Sequence, residues 1–186
     1  NFDKNLKLNP FDFESIEILR KEVTYIQLAA FYGSVRCFQF LLLQDASLLD
    51  VPKFAVCGGN TEIIHILEQQ QRPFNDFVQT AIEYHHFEIA KYLSAQYGPS
   101  VGIYPSEYRK PQCPLVVAIQ SYNHQALLSY YDEGIHNRIF GSPSLLSMAI
   151  ESNNLEAVKL LLTIIDVDVN QRGMMHDTPL IYNAAS

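Results

Sequence analysis

The residue types able to do chemistry are few, and their spacing decides against most of it. His85 and His86 are adjacent, with Glu83 and Glu88 nearby. Neighbouring residues on a helix point in different directions, so this pair cannot readily share one metal, and the order is not the H-E-x-x-H of a zinc hydrolase. One histidine of a turn and one at a helix cap is the plainer reading. His65 stands between Ile64 and Ile66 and reads as a surface or half-buried side chain. Cys113 precedes Pro114 at an expected helix start, where the helix dipole would favour a thiolate, but no positioned base accompanies it. Gly58-Gly59-Asn60 lacks the G-x-x-x-x-G-K-[ST] of a phosphate loop. The D-V-D-V-N run at Asp166 has no glycine or closing glutamate at calcium-loop offsets. The expectation is therefore no catalytic residue, no metal, no cofactor and no small-molecule substrate.

Bulk properties narrow the partners. The chain has 186 residues, 48% of them apolar, which is enough to bury a core. Its net charge is −7, from 13 basic and 20 acidic residues. That balance argues against nucleic acid, whose binding depends on neutralising phosphates. It also argues against an anionic membrane surface. Three cysteines, Cys37, Cys57 and Cys113, without a C-x-x-C, fit neither a disulfide framework nor a zinc site. An intracellular, cytoplasmic setting is expected on that ground. No apolar run is long enough to span a bilayer, so no membrane insertion is expected. The first residue is not Met and the last residues end mid-element, which reads as a piece of a longer chain.

The elements that would position any site are repeated. Thr24 to Leu42 reads as a short helix, a turn and a longer helix. Set against itself, the chain starts again near Asp50, Asp76, Cys113, Ser144 and Thr178. Most of these starts are residues whose side-chain oxygen caps helices. Pro114 and Pro179 follow directly, where a first-turn proline is tolerated. Five residues after the start stands Ala29, Ala55, Ala81, Ala118 or Ala149, followed by Ala30, Val56, Ile82, Ile119 or Ile150. Alanine at one fixed point lets short helices lie close, and a larger side chain would overpack by about 1–3 kcal/mol.

Nine residues after the start the chain must turn, at Gly33, Gly59, His85, Tyr122 and Asn153. Glycine and asparagine suit the left-handed conformation that ends a helix, while His85 and Tyr122 suit it less, so shifted or strained turns are expected there. Ser34, Asn60, Asn123 and Asn154 come next and can cap a second helix. That helix shows apolar spacing of three and four, as in Cys37-Phe38 with Leu41-Leu42, and Ile63-Ile64 with Leu67. The longest interval between starts contains Tyr97 to Gln112, which Pro99, Pro105, Pro111, Gly98 and Gly102 keep from being a regular helix. Residues 1–23 read as an N-terminal cap or an imperfect preceding repeat, with Ile16 and Leu19 on one side of a possible helical turn.

With starts, alanine pair, turn and double leucine in place, the pattern resembles the ankyrin repeat. The resemblance rests on T-Y-I-Q-L-A-A-F-Y-G-S-V-R-C-F-Q-F-L-L at Thr24, C-P-L-V-V-A-I at Cys113, and I-D-V-D-V-N at Ile165 followed by D-T-P-L at Asp177. It covers about residues 24–186. It implies an all-α, ankyrin-repeat solenoid of stacked helix-turn-helix units, five complete and the opening helix of a sixth. The family's histidine three residues after the start is replaced by Gln27, Lys53, Gln79, Val116, Ser147 and Ile181. Its hydrogen-bond network must be missing or rebuilt. The stretches at Leu28–Leu42, Cys57–Gln69 and Ala81–Leu93 are similar to a divergent ankyrin family, a domain of unknown function common in unicellular eukaryotes.

Such an array implies binding through the concave face lined by first helices. The positions free of capping and packing duties are the third, seventh and eighth after each start. They include Gln27, Phe31, Tyr32, Cys57, Gly58, Glu83, Tyr84, Gln120, Ser121, Glu151 and Ser152. The partner-binding candidates are Phe31, Tyr32, Glu83, Tyr84, Gln120 and Glu151, with Tyr104 and Tyr108 of the long loop. Aromatic residues are enriched in interfaces, but Phe31, Tyr32 and Tyr84 could equally pack on the N-terminal cap. The expected function is non-catalytic protein–protein interaction, with a partner that carries a basic patch. Two alternatives stand beside it: a targeting or scaffold piece of a protein whose catalytic domain lies elsewhere, and a structural or self-associating array.

Overall fold

The computed structural model describes residues 3–9, 15–97, 113–133 and 142–164. The chain divides into two compact units, Asn1–Gly98 and Pro99–Ser186. The described residues are predominantly helical.

The first unit opens with a short antiparallel pairing of β1 (Lys7–Leu8) and β2 (Val23–Thr24), with Lys7 opposite Thr24 and Leu8 opposite Val23. Between them Glu17–Arg20 forms a 3-10 helix that buries Leu19. Asn5 Oδ1 accepts from the Ser47 backbone N–H at 2.9 Å, which ties this segment to the loop after the second helix. Three helix pairs follow: α1 (Tyr25–Phe31) with α2 (Val35–Leu43), α3 (Val51–Gly58) with α4 (Thr61–Gln69), and α5 (Val78–Glu83) with α6 (Phe87–Tyr97). α3 packs against both α1 and α5, and α2 packs against α4. The short first helices thus neighbour one another, with Ala29, Ala30, Ala55, Val56, Ala81 and Ile82 buried where they meet. Phe38, Ile63, Ile64, Leu67, Ala90 and Leu93 fill the inward stripe of the second helices, each large side chain contributing about 1.5–3 kcal/mol by burial.

The second unit has α7 (Pro114–Gln120) with α8 (His124–Asp132), and α9 (Ser142–Glu151) with α10 (Leu155–Ile164). α7 packs on α9, and α8 on α10. Ala118, Ile119 and Ala149 are buried, as are Ala126, Leu127, Ala157 and Leu161.

Among the described residues, one turn recurs in all five helix pairs. Gly33, Gly59, His85, Tyr122 and Asn153 all have positive φ, between 52° and 73°. In four of them the N–H after the turn residue reaches back to the buried alanine: Ser34 to Ala29, His86 to Ala81, Asn123 to Ala118 and Asn154 to Ala149, at 2.8–2.9 Å. The turn residue's own N–H bonds the next carbonyl, as in His85 to Ile82 at 3.1 Å and Tyr122 to Ile119 at 3.2 Å. These are the two reversed bonds of a Schellman helix ending. His85 and Tyr122 therefore do not shift the turn. They adopt the left-handed conformation in place, at a cost of about 1–2 kcal/mol each. Asp45 and Gln71 do the same at the ends of α2 and α4.

The helix starts differ more from expectation. α5 begins at Val78, with Phe77 rather than Asp76 at its cap. Phe74 is fully buried, and its carbonyl accepts from the Phe77 N–H at 3.2 Å, so a turn closes first and Asp76 lies within it. α9 begins at Ser142, ahead of Ser144, with Pro143 in its first turn. Asp50 stands at the cap of α3 with φ +59°, and neither it nor Cys113 caps through its side chain. The asparagines do cap. Asn60 Oδ1 accepts from Ile63 N–H (3.0 Å), Asn123 Oδ1 from Ala126 N–H (3.1 Å), and Asn154 Oδ1 from Ala157 N–H (3.0 Å). The expected start at Thr178 and the Asp166 run lie outside the described residues.

Candidate interaction surface

In the first unit the ends of α1, α3 and α5 form the candidate surface, and close approach of backbones positions them. Gly58, at the end of α3, lies directly against the carbonyl of Phe31 at the end of α1. A Cβ on Gly58 would come within 2.0 Å of that oxygen. Phe31 is half-buried there, and Tyr32 meets it edge-on with ring centroids 5.2 Å apart. Tyr32 is 61% exposed. Gln27 rebuilds part of the hydrogen bonding that a histidine would otherwise supply. Its Oε1 accepts from the Thr24 N–H at 2.8 Å, and its Nε2 donates to the Leu49 carbonyl at 3.0 Å, which joins the first pair to the approach of the second.

Tyr84 holds the matching position at the end of α5, and its surroundings differ. It is half-buried and hydrogen-bonded to the thiol of Cys57 in α3. Burial first, then the Cys57 charge and this bond, push the Tyr84 phenol up to about 12, and the carboxylates of Glu17 and Glu83 add to it. Burial likewise pushes the Cys57 thiol up to about 11. The influence of Glu17 brings the N-terminal 3-10 helix into Tyr84's surroundings. Glu83 is half-buried beside it. The contacts at Gly58 and Cys57 thus set Phe31 and Tyr32 on one side of the α3 end, with Tyr84 on the other.

In the second unit Gln120 and Glu151 are exposed at the ends of α7 and α9. Their turns are tied by the Tyr122 hydroxyl donating to the Ser152 carbonyl at 2.8 Å. Tyr104 and Tyr108 lie outside the described residues.

The chemistry-bearing residues weighed from sequence have structural duties here. His86 Nε2 lies 2.9 Å from the Cys57 carbonyl, and its ring covers Gly59, where a Cβ would fall 2.3 Å from it. Asn154 acts similarly in the second unit, with Nδ2 donating to the Ile119 carbonyl at 2.8 Å. The expectation that the helix dipole favours a Cys113 thiolate is overturned by packing: burial raises the thiol's pKa, outweighing backbone hydrogen bonds from Leu115 and Val116. Among the described residues no group of His, Cys, Asp and Glu could hold a metal ion. Likewise, no helix of the described residues is long and apolar enough to cross a membrane.

Sequence reasoning missed a cluster between α4 and α6. Glu68 accepts from the Tyr92 hydroxyl at 2.9 Å and 3.1 Å and from the Tyr97 hydroxyl at 3.1 Å, with His65 Nδ1 3.0 Å away. Tyr92 also meets His65 edge-on at 5.4 Å. The available signal was positional: Tyr92 stands where Ile66 stands one unit earlier, a polar-tipped ring in place of an aliphatic one.

The family described as Domain of unknown function (DUF3447) matches residues 50–130. That span runs from the start of α3 into α8. It includes Glu83, Tyr84 and Gln120, but not Phe31, Tyr32 or Glu151. No curated protein matches the chain.

Proposed function

We propose that this chain is an ankyrin-type array that works without catalysis, by holding another protein on the first-helix ends of its first unit. The recurring reversed turn, the buried alanines and the contacts between successive first helices support the ankyrin reading. The observation that carries the functional reading is Tyr32. It is a large aromatic side chain, 61% exposed, braced by Phe31 and fixed at a helix end. A ring already held in place has little conformational entropy to lose on binding, which makes it an efficient anchor. Glu83 and Glu151 and the net charge of −7 favour a partner with a basic patch, through steering more than raw affinity.

The test is affinity capture on the immobilised chain, identification of the retained protein, and titration of that protein against variants. The double substitution Phe31→Ala with Tyr32→Ala is expected to weaken binding by about tenfold or more. Unchanged affinity with an intact circular dichroism spectrum would contradict the reading.

A further inference from the structure

The contact between α4 and α6 concentrates side chains that its counterparts lack. His65 and Glu68 stand three residues apart on α4, on one side of the helix, and Tyr92 and Tyr97 come from α6. The same repeat positions hold Gln39, Leu42 and Ile66 between α2 and α4, and Leu128, Tyr131 and Leu160 between α8 and α10. Those helices pack on each other all the same, so packing alone does not call for an imidazole, a carboxylate and two phenols in one place.

Every donor of the set touches the Glu68 carboxylate. Oε1 accepts from both phenols, at 3.1 Å each, while Oε2 accepts from Tyr92 at 2.9 Å and lies 3.0 Å from His65 Nδ1. Cis ligands of one ion, at bond lengths of about 2.0–2.2 Å, stand about 2.8–3.1 Å apart, so these spacings suit a shared ion as well as shared protons. The site can be reached from solvent: the His65 side chain is 55% exposed, and Tyr97 is exposed at the end of α6. Charge then selects the ion. Two phenolates and a carboxylate bring three negative charges, which balance a trivalent cation and exceed a divalent one. A phenol ordinarily titrates near pH 10, so only a strongly Lewis-acidic ion displaces its proton at neutral pH. Oxygen donors favour a hard ion, and imidazole suits iron.

We infer that His65, Glu68, Tyr92 and Tyr97 form a binding site for a ferric ion. On binding, the two phenol protons leave to solvent and the oxygens bond the ion as phenolates. The neutral His65 ring carries its proton on Nε2, so Nδ1 presents its lone pair. The iron stays ferric throughout. The bound ion joins two successive helix pairs through α4 and α6. The site stands whether or not the first-helix ends bind anything.

Iron held by phenolate announces itself through a visible charge-transfer band, which hydrogen-bonded tyrosine lacks. The intact chain is titrated with ferric nitrilotriacetate at neutral pH, and the band is read together with the iron retained after gel filtration. A band that saturates at about one iron per chain is expected. Tyr97→Phe keeps its ring at the exposed end of α6 and is expected to weaken the band about twofold, while Glu68→Gln is expected to weaken iron affinity by about tenfold or more. Tyr92→Phe combined with Tyr97→Phe is expected to abolish the band with the circular dichroism spectrum unchanged. No band in the unaltered chain, or a band that survives the double substitution, would overturn the proposal. So would uptake that rises past one iron per chain without saturating, which would mean adventitious iron on surface tyrosines. If the double substitution disturbs the fold, Tyr97→Phe decides alone, and a band of undiminished intensity in that variant would equally overturn it.

Discussion

Tyr32 and Tyr84 occupy the same place in two copies of one pattern, eight residues after their expected starts, and they do different work. Tyr32 ends α1 in solvent, braced by Phe31. Tyr84 ends α5 half-buried, its hydroxyl bound to Cys57. The neighbour makes the difference. The first helix ahead of α5 carries Cys57 at its seventh position, a small side chain that admits a ring and offers it a partner. No described helix pair precedes α1. A repeat position therefore specifies a direction, and the adjoining pair decides whether that direction is surface or core.

Five substitutions break or sharpen this comparison. The largest effect is expected from Gly58→Ala, because its Cβ would meet the Phe31 backbone, which cannot swing aside as a side chain can. A loss of about 3 kcal/mol in urea unfolding is expected. An effect no larger than that of an exposed helix substitution would mean α1 and α3 are not packed this closely. Tyr84→Phe is next, with a loss of about 1 kcal/mol from the Cys57 bond. The pH dependence follows the same pair. Cys57 titrates near 9 and Tyr84 near 10 when unfolded, against about 11 and about 12 in the fold. Raised acids keep their full stability below the unfolded values and lose it as pH climbs through the folded ones. Unfolding free energy should therefore fall from about pH 9 towards pH 12, and Tyr84→Phe should flatten the upper part of that fall.

His85→Gly is expected to stabilise the first unit by about 0.5–1 kcal/mol, read as a raised denaturation midpoint, because glycine accepts the left-handed turn without a Cβ penalty. The same change at Asn153 should yield less, since asparagine already tolerates that conformation. Tyr32→Ala should alter stability by less than about 0.5 kcal/mol, as an exposed side chain does.

Spacing made the helical framework legible. Alanine five residues after each start and a turn residue at nine are separations along one chain, and the structure places Ala55, Ala81 and Ala118 in the core and all five turn residues at positive φ. The starts were less legible. Phe74 reads simply as an apolar residue, yet its burial closes a turn that moves the cap from Asp76 to Phe77. Side-chain duties between pairs were not legible at all. His86 over Gly59, and Tyr92 on Glu68, join residues 27 and 24 positions apart, and only the stacking distance brings them together. Cys113 shows the same limit in electrostatics: its cap position is visible in the sequence, but the burial that raises its pKa is not.

The division of labour between the two tyrosines is tested most directly by measuring, for Tyr32→Ala and Tyr84→Phe side by side, both the urea midpoint and the affinity for a partner captured on the intact chain. Tyr32→Ala should keep the midpoint and lose about tenfold in affinity, while Tyr84→Phe should lower the midpoint and keep the affinity. The opposite pattern, with Tyr32→Ala unfolding the chain or Tyr84→Phe losing the partner at an unchanged midpoint, would contradict it.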